Sequence, residues 1–307
     1  STDEQAELQL FTESLERFCD AEIEPHYRAW EKAGRVPRDL LLKMGENGYL
    51  CADVPDAYGG PGASVPFSFA VVEVLSRRGY GGFVGGLQVH NDIIPPYLLH
   101  CGTEAQRQYW LPRMASGEAI AAIGMTEPGA GSDLKSVRTT ARREGDHYVL
   151  NGQKTFITNG VNAGLVIVLA CTDPDLGARG LSLFCVEEGL PGFSKGPAMR
   201  KIGQHAQDTC ELFFDEVRLP ADCLLGELNS AFTYMSHELA RERLAIALRA
   251  AASTEGMLEQ TKAYTRDRKV FGKRVIDYQN NRFVLADAKA RLTMLRVFLD
   301  DCALKLM

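Results

Sequence analysis

Apolar residues in the first third of the chain recur at helical spacing. Leu8, Phe11, Leu15 and Phe18 lie three or four residues apart and form one apolar stripe. Two later stretches, VPRDLLLKMGENGYL and VPFSFAVVEVLSRRGY, repeat this pattern, each with a proline near its start. Thr103 is a suitable cap for a further helix in TEAQRQYWLPRMASG. We therefore predict an N-terminal α-helical domain over residues 1–118.

From residue 119 the apolar pattern changes to the period of two that is typical of strands. Short β-branched or aromatic runs, HYVLNG, QKTFITNG, GLVIVLACT, LSLFCVEE and CELFFDEVRL, alternate with turn-forming residues. The Asn151-Gly152 pair between the first two runs predicts a hairpin turn. We predict a middle antiparallel β domain over residues 119–225.

Helical periodicity returns after the β-rich region and continues to the last residue. The stretch from SAFTYM to RDRKVF predicts one long helix, and the stretch from DYQNN to CALKLM predicts a second. Two long amphipathic helices are half of a bundle, and the second has no cap or polar tail. We expect a truncated C-terminal helical bundle over residues 226–307 and an α+β fold class for the chain.

Composition narrows the class of protein. The 307 residues are 45% apolar and 24% charged, as in globular proteins, and the formal net charge of −6 argues against nucleic acid as a partner. No apolar run approaches the roughly 20 residues of a membrane span, and the acidic N-terminus lacks a signal-peptide pattern. Eight cysteines without a C-x-x-C pair indicate a reducing compartment and no structural metal. We expect a cytoplasmic bacterial protein or, for a processed mature chain, a mitochondrial matrix protein.

The segment GMTEPGAGSD, residues 124–133, follows an apolar run and is rich in small residues. Its glycines allow a ligand to approach the backbone closely, and the hydroxyls of Thr126 and Ser132 could bond a polar ring or a phosphate. An ordinary Pro-Gly turn accounts for the same residues. No G-x-G-x-x-G motif follows a βαβ unit, so a Rossmann dinucleotide site is not supported.

Five segments together resemble the acyl-CoA dehydrogenase family, in the family's order. They are AIGMTEPGAGSDLKSV, NGQKTFITNG, AQDTCELFFDEVRLP, RERLAIA and RDRKVFGKRVIDYQ. KIGQHAQDTCELFFDEVRLPADCLLGE and the ERL triplet look most similar to the long-chain and isovaleryl branch. The resemblance implies an FAD-dependent enzyme that converts an acyl-CoA to the trans-2-enoyl-CoA and passes electrons to electron-transferring flavoprotein.

The resemblance also implies which residues bind FAD. The family's flavin contacts match three groups here: Ile123, Met125, Thr126 and Ser132; Phe156, Ile157 and Thr158; and Arg268, Val270, Phe271 and Gln279. Ser132 would also contact the acyl-CoA. Arg268, Val270 and Phe271 would meet the FAD of a neighbouring subunit, and Gln279 matches another position that faces FAD. A cofactor shared between subunits implies an oligomer, and the resemblance implies a homotetramer built as a dimer of dimers. From the residues alone, Phe156 could instead be a core aromatic, and the basic run RDRKVFGKR could complement a helix dipole.

Dehydrogenation of a thioester requires a base for the weakly acidic α-proton, and a carboxylate in a dry site is suited to this. In the long-chain and isovaleryl branch that glutamate lies on the first long helix of the last domain, which here matches Glu242. The spacing alone favours a solvated helix face, with Arg241 and Arg243 on either side. The apolar stripe Met235, Leu239, Leu244, Ala247 and Leu248 places Glu242 near its edge. By resemblance Arg243 contacts acyl-CoA, and a surface arginine is the alternative.

The substrate's chain length depends on weaker signals. Gly85 and Gly86 lie where the family lines its acyl pocket, so we expect a deep pocket and a medium, long or branched acyl group. Two alternatives remain open: a non-catalytic subunit of the same fold in a hetero-oligomer, and an acyl-CoA oxidase. No nucleophilic His or Cys signature is present in the sequence, and no metal site is predicted.

Overall fold

The structure is a computed structural model that describes residues 2–306. Its first part is helical, as predicted, and Thr103 caps the seventh helix through a capping box: Gln106 N donates to Thr103 Oγ1 at 3.2 Å, and Thr103 N donates to Gln106 Oε1 at 3.0 Å. The helices are α1 Thr2–Phe18, α2 Tyr27–Ala33, α3 Arg38–Glu46, α4 Val65–Arg77, α5 Gly81–Gln88, α6 Ile94–Cys101 and α7 Glu104–Ala115. Two π-helical turns, Cys19–Ile23 and Val89–Ile93, extend α1 and α5.

An eight-stranded sheet follows. The strands are β1 Ile120–Gly124, β2 Thr140–Glu144, β3 His147–Thr158, β4 Ala163–Cys171, β5 Leu181–Glu187, β6 Phe193–Lys195, β7 Thr209–Pro220 and β8 Leu224–Leu225. Their order in the sheet is β6-β7-β3-β2-β4-β5-β8, with β1 beside β4. Most neighbours are antiparallel, as predicted, but β1 runs parallel to β4, and β2 meets β4 in a single parallel pair. A parallel pair needs a long connection, which the chain between β1 and β4 provides.

The predicted hairpin turn at Asn151-Gly152 is wrong, because β3 is continuous through both residues. Its register against β7 shifts between Leu150 and Gly152, so the glycine marks a bulge. Gly152 has φ +145°, and a Cβ there would lie 2.5 Å from Thr139 Oγ1. The hairpin turn is instead at residues 145–146, where Glu144 pairs with His147.

Two long helices form the C-terminal part, α8 Ala231–Asp267 and α9 Gln279–Leu306. The first ends four residues before its predicted end at Phe271, because the chain turns into a small hairpin of β9 Lys269–Val270 and β10 Lys273–Arg274. Arg296 on α9 makes a bidentate pair with Glu73 of α4, at 2.7 and 2.9 Å, and also bonds Glu255 of α8. The two C-terminal helices are thereby fastened to the N-terminal helices.

The predicted α+β fold class is confirmed, with helices before and after a β-rich centre. One apolar core lies between α6, α7 and one face of the sheet, and a second lies within the N-terminal helices. A third fills the other side of the sheet, and a fourth joins α4, α8 and α9. Every helix among residues 2–306 is too short or too polar to span a bilayer.

Candidate active site

The glycine-rich loop after β1 lies directly against β3. Thr155 N donates to Thr126 O at 2.9 Å, and Lys154 Nζ donates to Met125 O at 3.2 Å. These bonds place the predicted loop residues Met125 and Thr126 beside Lys154 and Thr155, which directly precede the predicted strand segment 156–158. Ile123 and Met125 are half-buried against the core, and Ser132 is exposed.

Glu127 holds this loop in place, a role that we did not predict. Its carboxylate accepts hydrogen bonds from Lys154 Nζ at 2.7 Å, Arg138 N at 2.7 Å and Thr139 N at 3.0 Å. Burial raises the pKa of Glu127, but the hydrogen bonds outweigh burial, and the net effect lowers the pKa. Both side chains of the Lys154–Glu127 pair are buried. Sequence patterns gave no signal for this pair, because a charged residue is ordinarily expected to be exposed.

The loop is a tight Pro-Gly turn and also leaves bare backbone open. Glu127 and Ala130 exchange two backbone hydrogen bonds, of 2.8 and 3.1 Å, around Pro128 and Gly129. A Cβ built on Gly129 or Gly131 would meet nothing within 4 Å, and neither glycine has a positive φ. Neither packing nor backbone geometry therefore requires glycine there. Open backbone of this kind is a cradle for a ligand that approaches closely.

Phe156 is presented to solvent by a bulge in β3. The register of β3 against β7 shifts between Lys154 and Ile157, and Phe156 has φ +58° with its side chain 67% exposed. The alternative of a core aromatic is therefore wrong. An aromatic in the left-handed region is strained, and such strain is found most often at functional sites. Ile157 is 3% exposed, so only its backbone can face a ligand. The Thr158 hydroxyl accepts from Gln207 Nε2 at 3.0 Å.

Glu242 lies on the face of α8 that packs against α6. The hydroxyl of Tyr97, a residue that we did not predict, donates to Glu242 Oε1 at 3.0 Å. Burial and the nearby carboxylate of Glu238 raise the pKa of Glu242, against the opposing effects of Tyr97 and Arg243. The result is a half-buried carboxyl group with a raised pKa, as a general base requires.

The alternative of a solvated, ion-paired helix face does not hold for Glu242. Arg241 pairs with Asp53 instead, and Arg243 is exposed. The predicted apolar stripe is also incomplete, since Leu239 is exposed. Glu242 therefore faces protein, and its charged neighbours in sequence face elsewhere.

A second pair of residues lies one turn from Tyr97 and Glu242. Glu238, which is 4% exposed, accepts from His100 Nδ1 at 2.6 Å and lies 3.2 Å from His237 Nδ1. No partner for either histidine could be inferred from spacing. The contact forms because α6 and α8 pack side by side.

Gly85 and Gly86 do not leave the space that we predicted beside them, although Gly86 lines a small cavity. A Cβ on Gly85 would lie 1.9 Å from Gln207 Oε1, and one on Gly86 would lie 2.3 Å from Asn159 Oδ1. Asn159 Nδ2 donates to Gly86 O at 2.8 Å and to Ala121 O at 3.0 Å. These glycines allow α5 to approach the end of β3.

The predicted third group lies on and beside the β9–β10 hairpin. Arg268, Val270, Phe271 and Gln279 are all exposed, and Phe271 is 94% exposed. The alternative of a basic helix end is wrong for most of the run, because α8 stops at Asp267 and Arg268 has extended ψ. Within residues 2–306 no hydrogen bond connects this hairpin to the loop or to β3. The structure thus places the first group beside the strand that carries the second, and no hydrogen bond within residues 2–306 joins the third group to either.

Comparisons with known proteins identify the same family over all three parts of the chain. Family models described as the acyl-CoA dehydrogenase N-terminal, middle and C-terminal domains match residues 5–118, 122–217 and 229–306. The mitochondrial long-chain specific acyl-CoA dehydrogenase of Sus scrofa is 45% identical over 300 residues, which are 97% of this chain and 69% of the relative.

Solved structures give the same result. An acyl-CoA dehydrogenase from Geobacillus kaustophilus has a TM-score of 0.93 at 46% identity, covering 96% of this chain and 78% of that one. A glutaryl-CoA dehydrogenase from Mycobacterium smegmatis in complex with FADH2 has a TM-score of 0.86 at 32% identity, covering 97% of this chain and 74% of that one. The chain therefore belongs to the acyl-CoA dehydrogenase family of oxidoreductases, the flavoproteins of fatty acid β-oxidation.

Proposed function

We propose that this enzyme dehydrogenates a medium-chain, long-chain or branched acyl-CoA to the trans-2-enoyl-CoA, with FAD as cofactor and Glu242 as the base. The observation that carries the proposal is the half-buried carboxyl of Glu242, held by Tyr97 on the face of α8 that packs against α6. Membership of the acyl-CoA dehydrogenase family supplies the reaction class.

The chemistry assigned to Glu242 is the transfer of one proton. Its carboxylate takes the α-proton of the thioester and becomes a neutral acid, while the electron pair of the broken C–H bond forms the new double bond to Cβ. When bound, FAD supplies the acceptor for the hydride that leaves Cβ. Burial favours the neutral acid over the carboxylate, so the environment of Glu242 strengthens it as a base.

The residues around the glycine-rich loop fit a flavin. Phe156 offers an exposed ring for stacking, the backbone at Gly129 and Gly131 is open, and hydroxyls are available at Thr126 and Thr158. We infer that the flavin ring is held by Ile123, Met125, Thr126, Ser132, Phe156, Ile157 and Thr158. For Ile157 this means its backbone, because the side chain is buried.

The remaining assignments concern the substrate and other protein molecules. Ser132 and Arg243 bind acyl-CoA. The FAD of a neighbouring subunit in a homotetramer is reached by Arg268, Val270 and Phe271, and Gln279 also faces FAD. The exposure of the β9–β10 hairpin supports the second assignment. Electron-transferring flavoprotein takes the electrons, in the cytoplasm of a bacterium or in the mitochondrial matrix. Residues 1–118, 119–225 and 226–307 form the three domains.

The test is anaerobic addition of acyl-CoA thioesters of increasing length to the purified holoenzyme. We expect the visible flavin bands to bleach and the trans-2-enoyl-CoA to form with acyl groups of medium length or longer. The long-chain name of the Sus scrofa relative supports this range. An enzyme that reacts with a C4 thioester but not with a C12 thioester would contradict the substrate assignment. If none of the acyl-CoA thioesters bleached the flavin of the holoenzyme, the proposed dehydrogenation would be contradicted.

A further inference from the structure

Helices α6 and α8 are joined by two parallel polar contacts. Tyr97 on α6 bonds Glu242 on α8 at 3.0 Å, and His100, one turn later on α6, bonds Glu238, one turn earlier on α8, at 2.6 Å. Residues three or four apart lie on the same helical face, so the two contacts are successive links between the helices. The orientation of Glu242 is therefore tied to how α6 packs on α8.

Tyr97 is built to hold one oxygen of Glu242. Its side chain is fully buried in the core that also contains Trp110 and Met235, so the ring cannot swing away. Within residues 2–306 its hydroxyl has Glu242 Oε1 as its one hydrogen-bond partner, and Glu242 Oε2 makes no hydrogen bond. One oxygen is thus fixed, and the other is left for a proton.

We propose that Tyr97 is a positioning residue of the active site, whose hydroxyl fixes Oε1 of Glu242 so that Oε2 is presented to the α-proton of the substrate. This rests on the proposed role of Glu242 as the base. A glutamate has several rotatable bonds, and a base must lie within hydrogen-bond reach of its proton before its strength matters. Tyr97 removes that freedom without itself exchanging a proton.

The same contact is one of four influences on the pKa of Glu242, of which burial is the largest. A hydroxyl donor stabilises the carboxylate and lowers the pKa of Glu242, and the exposed guanidinium of Arg243 acts in the same direction. Burial and Glu238 raise it, and Glu238 is itself in contact with His100 and His237. Burial and the adjacent carboxylate raise the pKa of Tyr97 above its ordinary range, so Tyr97 stays a donor at every pH of interest.

The test compares Tyr97→Phe with Tyr80→Phe. Both tyrosines are buried and donate to a glutamate, but the partner of Tyr80 is Glu24, at 2.5 Å within the N-terminal helices. Each substitution removes one hydroxyl and keeps the ring. Circular dichroism and thermal unfolding establish that both variants are folded.

The first readout is the pKa of the Glu242 carboxyl, taken from infrared pH titrations of each protein minus its Glu242→Gln counterpart. Tyr97→Phe removes a donor to the carboxylate, so the pKa of Glu242 should rise by about one pH unit, and Tyr80→Phe should leave it unchanged. The second readout is the limiting rate of flavin bleaching by acyl-CoA, which should fall about tenfold or more in Tyr97→Phe alone. A pKa or a rate that stays at the wild-type value in Tyr97→Phe would overturn the proposal.

These outcomes separate this proposal from the proposed function. If Glu242→Gln itself bleached at the wild-type rate, Glu242 would not be the base, whatever Tyr97 does to its pKa. If Glu242→Gln were inactive while Tyr97→Phe matched Tyr80→Phe in both readouts, the base would stand and the positioning role would be overturned.

Discussion

The ammonium of Lys154 lies 2.7 Å from Oε1 of Glu127, and this buried ion pair fastens the glycine-rich loop to the strand that carries Phe156. The loop and the strand come from segments that sequence patterns identify only separately. The loop and the strand are joined by Lys154 and Glu127, two charged residues that sequence patterns would place in solvent. The proposed flavin site is therefore held by its own ion pair.

Removing the cation should destabilise the protein and loosen the loop. We expect Lys154→Met to lower the free energy of unfolding by about 3 kcal/mol, because Glu127 is left buried with only its two backbone donors. Urea unfolding measures this. Lys262→Met is the matched control, since its pair with Glu259 is exposed and should change stability by less than about 1 kcal/mol. Equal effects of the two variants would show that the buried pair has no special role.

Substitutions at two neighbouring residues of β3, Phe156 and Ile157, should have different effects on FAD retention and on stability. Phe156→Ala removes an exposed ring, so it should change stability by less than about 1 kcal/mol while FAD dissociates more readily. Ile157→Ala removes a buried side chain and should destabilise the protein by about 2–4 kcal/mol. Denaturation curves and fluorescence of released FAD measure the two effects. Unchanged FAD retention in Phe156→Ala would contradict the stacking role.

Two glycine substitutions should have opposite consequences. A Cβ on Gly86 would collide with the side chain of Asn159, which two hydrogen bonds hold in place. Gly86→Ala should therefore destabilise the protein by about 2 kcal/mol. A Cβ on Gly131 meets no protein atom, so Gly131→Ala should leave stability within about 0.5 kcal/mol of the wild type but weaken FAD binding. Calorimetric FAD titration of the apoprotein and thermal unfolding test the pair. Full FAD affinity in Gly131→Ala would argue against close approach to the loop.

Glu238→Gln should shift the pH dependence of the reaction in a defined direction. The negative charge of Glu238 raises the pKa of Glu242, so its removal should lower that pKa. Glu242 would then be ionised at lower pH, and the acid limb of the pH–rate profile for flavin bleaching should move to lower pH. A profile that stays in place or moves to higher pH would contradict the assignment of that limb to Glu242.

Much of the fold could be predicted because each element has a local signal. The apolar spacing of α1 and the Thr103 cap depend on neighbours in sequence, and both are found as predicted. The errors arose where a long-range contact changed the meaning of a local signal. Asn151-Gly152 forms a bulge rather than a turn because Thr139 of another segment packs against Gly152.

The candidate site was predicted by resemblance more than by pattern. Spacing alone placed Glu242 on a solvated helix face, and only the packing of α6 on α8 gives it Tyr97 as a partner. Tyr97 itself is one tyrosine in an apolar helix and carries no signal of its own. Lys154 and Glu127 were missed for a related reason, since a charged residue reads as exposed until its partner is known.

In the proposed reaction Glu242 removes the α-proton of the substrate. The most direct test of this role is anaerobic stopped-flow mixing of a long-chain acyl-CoA with the wild-type, Glu242→Gln and Glu238→Gln holoenzymes. Glu242→Gln should keep its flavin, but its rate constant for flavin bleaching should fall by about three orders of magnitude, which is the contribution of a positioned base. Glu238→Gln, which alters the neighbouring buried carboxylate, should still bleach to within about tenfold of the wild type at its own optimal pH. Bleaching by Glu242→Gln at the wild-type rate would contradict the account.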